Sequence, residues 1–167
     1  KTTLLLSLVG VIPASGRILV DGTLLERKSL DSIRRRVGLV FQNPDDQLFM
    51  HDIFDDVAFG LRNADVLEAE VIQRVVHTLT QLRIGHLRDR SVLRLSGGEK
   101  RLAALATVMV MEPSVMLFDE PTVYLDPKAR RNLIGVMNGI HQTKVIATHD
   151  LAFAAETCDR VVAMKDG

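Results

Sequence analysis

Polar groups able to handle a phosphate recur at the ends of apolar runs along this sequence. Val115-Met116-Leu117-Phe118 is a short apolar run followed by two carboxylates, Asp119 and Glu120. A buried strand of that kind delivers its acids at its tip. There Asp119 can join the shell of a Mg2+ ion, and Glu120 can accept a proton from an attacking water. A strand ending in solvated acids fits the same residues. Lys1-Thr2-Thr3, running into Leu4-Leu5-Leu6, matches the end of a phosphate-binding loop that opens a helix. Such a loop uses its Lys on the β- and γ-phosphates, a hydroxyl on Mg2+, and helix N–H groups aimed at the anion. Taken alone, an ordinary helix start explains these three residues better, because the cradling glycines are absent from the chain.

Leu95-Ser96-Gly97-Gly98-Glu99 reads first as a capping box, with Ser96 and Glu99 closing a helix N-terminus. A cap needs no paired glycines, which cost roughly 1 kcal/mol each inside a helix. Gly97-Gly98 makes sense where a backbone must come close to something, and bare helix N–H groups suit a phosphate. Thr148-His149-Asp150 puts an imidazole just past another apolar run, where it can reach the same phosphate as Glu120. His51, His77, His86 and His141 lack such a setting and read as structural or solvated. Phe41-Gln42-Asn43-Pro44 follows a further β-rich run; Gln42 can ligate Mg2+ or orient water, and a plain polar turn is the competing explanation.

These residues need a scaffold that brings strand ends together, and the apolar patterning supplies one. Val115–Phe118, Val145–Thr148 and Val161–Met164 read as short buried strands alternating with helices over Pro127–Ile140 and Leu151–Thr157. Asp126 and Asp150 are placed to cap those helices, with Pro127 at a first position where its missing N–H costs nothing. Strand, helix, strand, helix, strand implies an α/β fold with a mainly parallel sheet buried on both faces. Earlier, helices are expected over Thr2–Val9 and Ser29–Arg36, and Asp21-Gly22 marks a tight hairpin between Arg17–Val20 and Thr23–Leu25. Ile53, Val57 and Leu61 mark one amphipathic helix, and Val71, Val75, Leu79 and their neighbours another. Residues 52–91 therefore read as a helical subdomain inserted between core pieces at 1–51 and 92–167.

Composition narrows the field. Lys plus Arg and Asp plus Glu both total 21, so no global field draws the chain to nucleic acid, and no nucleic-acid partner is expected. At 47% hydrophobic and 25% charged residues the chain is ordinary for a globular domain and unlike a disordered one. No apolar run approaches the roughly 18 residues of a membrane span. The single cysteine, Cys158, has no partner for an internal disulfide. Opening at Lys1-Thr2-Thr3 and closing in a turn at Lys165-Asp166-Gly167, the chain reads as a piece of a larger domain, so the isolated piece is expected to bind ATP poorly and to be inactive.

The series Lys-Thr-Thr, Gln, Ser-Gly-Gly, Asp-Glu, Asp, His resembles the nucleotide-binding domain of ATP-binding-cassette (ABC) proteins over essentially the full chain. Leu95–Glu99 resembles the family signature, Asp119-Glu120-Pro121-Thr122 its Walker B with catalytic Glu, Leu125-Asp126-Pro127 its D-loop, and His149 its switch histidine. Phe41–Phe49 with Asp55–Gly60 further resembles the cobalt/nickel-type and energy-coupling-factor (ECF) importer ATPases. The resemblance implies a P-loop NTPase fold with ATP and Mg2+ as ligands. Lys1, Thr2, Thr3, Ser96, Gly97, Gly98 and Asp126 would bind ATP; Thr2, Gln42 and Asp119 would hold the metal; Glu120, His149 and Gln42 would serve catalysis. It also implies a second ATPase subunit, identical or related, whose Ser96–Gly98 completes each site, and a transmembrane partner that places the chain at the cytoplasmic face of the membrane. The expected activity is ATP hydrolysis powering import of cobalt, nickel or a vitamin. A soluble non-transport ABC ATPase, or an inactive remnant, is the alternative; the short span from Gln42 to Ser96 and the absence of heptads oppose the former. Tyr124 stands where the family's D-loop usually carries Gly, which puts the intersubunit contact there in doubt.

Overall fold

The computed structural model describes residues 1–165; the expected turn at Asp166 and Gly167 lies outside the described residues. Helix α1 (Thr2–Leu8) leads into a hairpin of β1 (Leu19–Val20) and β2 (Thr23–Leu24), and α2 (Leu30–Arg36) into β3 (Val37–Val40). Three helices follow, α3 (Ile53–Asn63), α4 (Glu68–Gln81) and α5 (Gly97–Met109). The chain then alternates: β4 (Val115–Asp119), α6 (Pro127–Gly139), β5 (Thr143–Ala147), α7 (Leu151–Thr157). The hairpin forms because Asp21 and Gly22 both take positive φ, 47° and 74°, as its tight turn requires. Asp126 and Asp150 cap α6 and α7 as expected, accepting N–H bonds from Lys128 and Ala129 and from Phe153.

Strands β3, β4 and β5 pair side by side and parallel, in that order. Val40 stands opposite Phe118, and Phe118 opposite Ile146, so the three carboxyl ends lie level. Alternation along β4 divides the core between the two faces. Met116 and Phe118 enter a large cluster with side chains of α3 to α7, while Leu117 joins Leu5, Val9, Ile33 and Val37 from α1, α2 and β3. Helix α5 is buried nearly all round from Arg101 to Ala106, as befits a helix wedged between a sheet and other helices. The α3–α4 segment shares the large cluster, and Asp52 bridges Ser91 where the segment begins and ends.

Two strand expectations need correction. Val161–Met164 forms no strand; it lies exposed, with Val162 at 71%, and pairs with neither β3 nor β5. The run over Val145–Thr148 is a strand displaced to Thr143–Ala147, and it is not buried on both faces. The α1–α2 cluster covers Leu117 but stops short of Val145, which stays exposed.

Strand β3 packs closely on α5 at Gly38. A Cβ built on Gly38 would stand 2.2 Å from Val108 Cγ1 and 3.3 Å from Pro113 Cγ. Valine has little rotamer freedom with which to yield. Gly38→Ala is therefore expected to cost about 1–3 kcal/mol of unfolding free energy, read as a lower urea midpoint at unchanged slope. Val108→Ala added to it is expected to restore part of the loss; a midpoint equal to the parent's in Gly38→Ala would refute the contact.

Candidate active site

Asp119 ends β4, and the chain turns at once. Glu120 takes φ 41°, in the left-handed region, while its N–H donates to the Ala147 carbonyl at 2.8 Å. That conformation is costly for a residue with a side chain, and the neighbouring strand holds it in place. It aims the carboxylate across the end of β5. Glu120 Oε2 accepts hydrogen bonds from the Thr148 hydroxyl (3.1 Å) and the His149 backbone N–H (3.2 Å), and His149 Nδ1 lies 2.9 Å away. Lys1 Nζ stands 4.0 Å from Glu120 Oε1 and donates to the Thr148 carbonyl. A lysine, a glutamate and a histidine from the starts or ends of α1, β4 and β5 thus meet.

Electrostatics follow from this packing. Burial pushes the Glu120 carboxyl up, but the hydrogen bonds from the His149 imidazole and backbone and from Thr148 outweigh it and leave the group below its ordinary value. Glu120 is therefore an ionised acceptor at neutral pH. Asp119 is 5% exposed, and its Oδ1 is buried without a hydrogen-bond partner. An orphaned carboxylate oxygen is expensive unless something positive meets it, and a cation fits that place. Among the described residues no group of three or more His, Cys, Asp and Glu side chains is arranged to hold a metal.

The remaining predicted residues fall around this cluster or away from it. Thr2 and Thr3 open α1 beside Lys1, with no side chain capping the helix. Gln42 is exposed two residues past β3, so the register carries it to the level of Glu120 on the adjacent strand. Ser96, Gly97 and Gly98 stand at the start of α5 in a complete capping box, Ser96 Oγ accepting from Glu99 N–H and Glu99 Oε2 from Ser96 N–H. Among the described residues no hydrogen bond or ion pair joins them to Lys1, Glu120 or His149. The paired glycines also separate in purpose. A Cβ on Gly98 would press to 2.9 Å on the Ala129 Cβ of α6, whereas one on Gly97 would meet only the Tyr124 carbonyl at 3.9 Å. Gly98 thus has an internal packing reason to lack a side chain, in addition to any approach its N–H makes at the helix start. Asp126 spends one carboxylate oxygen on two cap bonds of 2.8 Å. Tyr124 is 89% exposed at φ 63°, a backbone shape that glycine adopts freely and tyrosine adopts at a cost.

Three neighbours escaped the sequence reading. Thr148 binds Glu120 through its hydroxyl and Lys1 through its carbonyl; its place beside His149 was the available signal. Arg130 on α6 grips Asp150 with two bonds, Nε–Oδ2 2.9 Å and Nη2–Oδ1 3.2 Å, and so fixes the turn after His149. Arg101 is buried in α5, where one charge interrupts an otherwise apolar run.

Residues 1–123 match the family described as ABC transporter. The chain belongs to that family. Its fold is that of the P-loop NTPases, and the family's ATP-binding subunits are ATPases. The ECF transporter ATP-binding protein EcfA of Carboxydothermus hydrogenoformans is 42% identical over 171 residues, covering 100% of this chain and 63% of the relative. The cobalt import ATP-binding protein CbiO of Rhodobacter capsulatus is 46% identical over 173 residues, covering 100% of this chain and 62% of the relative. Among solved structures, CbiO1 of Clostridium perfringens, described as part of the ABC transporter complex CbiONQ, superposes with TM-score 0.86 at 38% identity, over 95% of this chain and 66% of that one. The chain thus spans a little under two thirds of these two curated relatives' lengths. No helix among the described residues is long and apolar enough to cross a membrane.

Arg130 is the largest influence on the Asp150 carboxyl, ahead of the Phe153 N–H, and both hold it below its ordinary value. The unfolded chain takes up that proton more readily. The pairing therefore favours the fold above the usual carboxylate range and is lost as pH falls through the depressed folded value. In Arg130→Ala, the Asp150 titration followed by NMR is expected to move up toward the ordinary carboxylate value, and the acid-side loss of stability to flatten. An unmoved titration would assign the effect to the helix cap alone.

Proposed function

We propose that this chain is the nucleotide-binding part of an ATPase subunit that powers a membrane importer for cobalt, nickel or a vitamin. The observation that carries the reading is the meeting of Lys1, Glu120 and His149, residues far apart in sequence, at the ends of parallel strands where α/β folds bind ligands. Lys1, Thr2 and Thr3 bind the phosphates of ATP. Thr2, Gln42 and the orphaned Asp119 oxygen would hold Mg2+, which when bound neutralises phosphate charge. Glu120, kept ionised, takes the proton of the attacking water. His149, in contact with that carboxylate, orients it and reaches the γ-phosphate side. Gln42 positions the water from the neighbouring strand.

Ser96, Gly97 and Gly98 serve a second subunit. The exposed start of α5, at Ser96 and Gly97, supports a composite site, in which the α5 N-terminus of each subunit covers the other's nucleotide and Asp126 lies along the same interface. Residues 52–91 act as an inserted helical subdomain facing a transmembrane partner. Phe49, 64% exposed and packed edge-on against Phe59 with ring centroids 4.9 Å apart, offers that partner an apolar anchor beside the Gln42 loop. Such a partner puts the subunit at the cytoplasmic face of the membrane. The transporter names of the relatives favour import over a soluble non-transport role.

Glu120→Gln keeps the shape and removes the base. In the assembled transporter it is expected to lower ATP turnover by roughly 10²–10⁴-fold while ATP binding, measured by equilibrium titration, persists. Turnover within a few fold of the parent would remove Glu120 from this role, and loss of binding would recast it as a ligand for ATP.

A further inference from the structure

Arg101 has a burial that packing alone does not explain. It is 2% exposed, its guanidinium meets no carboxylate among the described residues, and burial pulls its pKa down to about 10, still cationic at neutral pH. A leucine or methionine would fill the same space without desolvating a charge. What the arginine adds is two hydrogen bonds to main-chain carbonyls, Nη1 to Phe41 at 2.7 Å and Nη2 to Gln42 at 2.6 Å. These are the first residues past β3, and Gln42 is the group placed above at the metal. Neighbouring turns of α5 hold the same loop. Lys100 pairs with Asp45, and Gln47 donates to the Ala104 carbonyl and the Thr107 hydroxyl at 2.7 Å each while its Oε1 accepts from Phe41 N–H at 3.1 Å. The loop is therefore fastened to α5 at three successive points.

We infer that Arg101 is a positioning residue that makes the start of α5 and the Gln42 loop one rigid body, so that each subunit's grip on its partner's nucleotide sets the placement of Gln42 in its own site. This rests on the composite-site reading above. Ser96 and Arg101 are five residues apart on one helix, about 7.5 Å of rise, too short and too well packed to flex independently. When Ser96 and Gly97 close on the partner's phosphate, the shift passes through Arg101 to the backbone of Phe41 and Gln42. The consequence is coupling between the two ATP sites, carried within each chain by contacts that touch no nucleotide.

The test uses the complete gene product purified with its partners, in parent form and as Arg101→Met, Arg101→Lys and Lys100→Ala. By hydrogen exchange without nucleotide, residues 41–48 are expected to exchange as slowly as the first turns of α5 in the parent and at least tenfold faster in Arg101→Met, with β4 and α6 unchanged. The ATP dependence of turnover is expected to be cooperative in the parent, with a Hill coefficient falling to about 1 in Arg101→Met and partly restored in Arg101→Lys. A purely structural arginine would lower melting temperature or kcat without moving that coefficient. Unchanged exchange of 41–48, or an unchanged Hill coefficient in a folded Arg101→Met, overturns the inference. Should Arg101→Met fail to fold, Lys100→Ala decides: it must loosen 41–48 and lower the coefficient, and the inference falls if either is unchanged. A complex with no ATP turnover at all sinks the proposed function, and the exchange result alone then decides whether Arg101 ties the loop to the helix.

Discussion

Everything at this site hangs on the pairing of β4 with β5. Because the two strands run parallel and in register to Asp119 and Ala147, the next amide, that of Glu120, lands on the Ala147 carbonyl. That single bond stabilises a left-handed turn which the glutamate would not adopt freely. The turn does two things at once: it leaves Asp119 at the buried tip of the strand with one oxygen unmet, and it swings Glu120 over Thr148 and His149. Antiparallel pairing would have sent the two strand ends to opposite edges of the sheet. A slip of one residue would have turned every side chain to the other face.

The same geometry explains how the fold divides labour between rigid and adaptable parts. Glu120 is oriented by the His149 amide and the Thr148 hydroxyl as well as by the imidazole, so its direction does not rest on the imidazole alone. His149 by contrast is largely solvent-facing, its side chain 73% exposed. The carboxylate is preset and the imidazole is free to re-aim, a sensible arrangement where the base must be ready and its companion must respond to a nucleotide. Arg130 and Asp150 fix the backbone just beyond, so the freedom is confined to the histidine ring and does not spread into α7.

How far the sequence revealed this depends on whether a signal was local. The strand tip Asp119-Glu120, the Asp21-Gly22 turn, the Ser96–Glu99 box and the Asp126 and Asp150 caps were all legible, because each is decided by residues within a few positions of one another. The misreadings came from tertiary context. Val161–Met164 has the composition of a strand but pairs with no strand of the sheet, and Val145 has the composition of a core residue but stays exposed. Arg101 was illegible for a different reason: an arginine in an apolar run has no meaning until the carbonyls it reaches, some 60 residues earlier in the chain, are brought to it.

The two adjacent glycines make the boundary between fold and function concrete. Read from sequence, both were asked to serve a ligand. Gly98 is already accounted for, since α6 sits against it and any side chain there would push Ala129 away. Gly97 has no such neighbour: nothing among the described residues requires it to lack a side chain, and its φ lies outside the region that only glycine favours. A helix start that forgoes a better helix former without an internal reason points to a surface that must be approached from outside. That leaves Gly97, one residue from the Ser96 cap and open to solvent, as the glycine whose presence the proposed second subunit explains and the isolated fold does not.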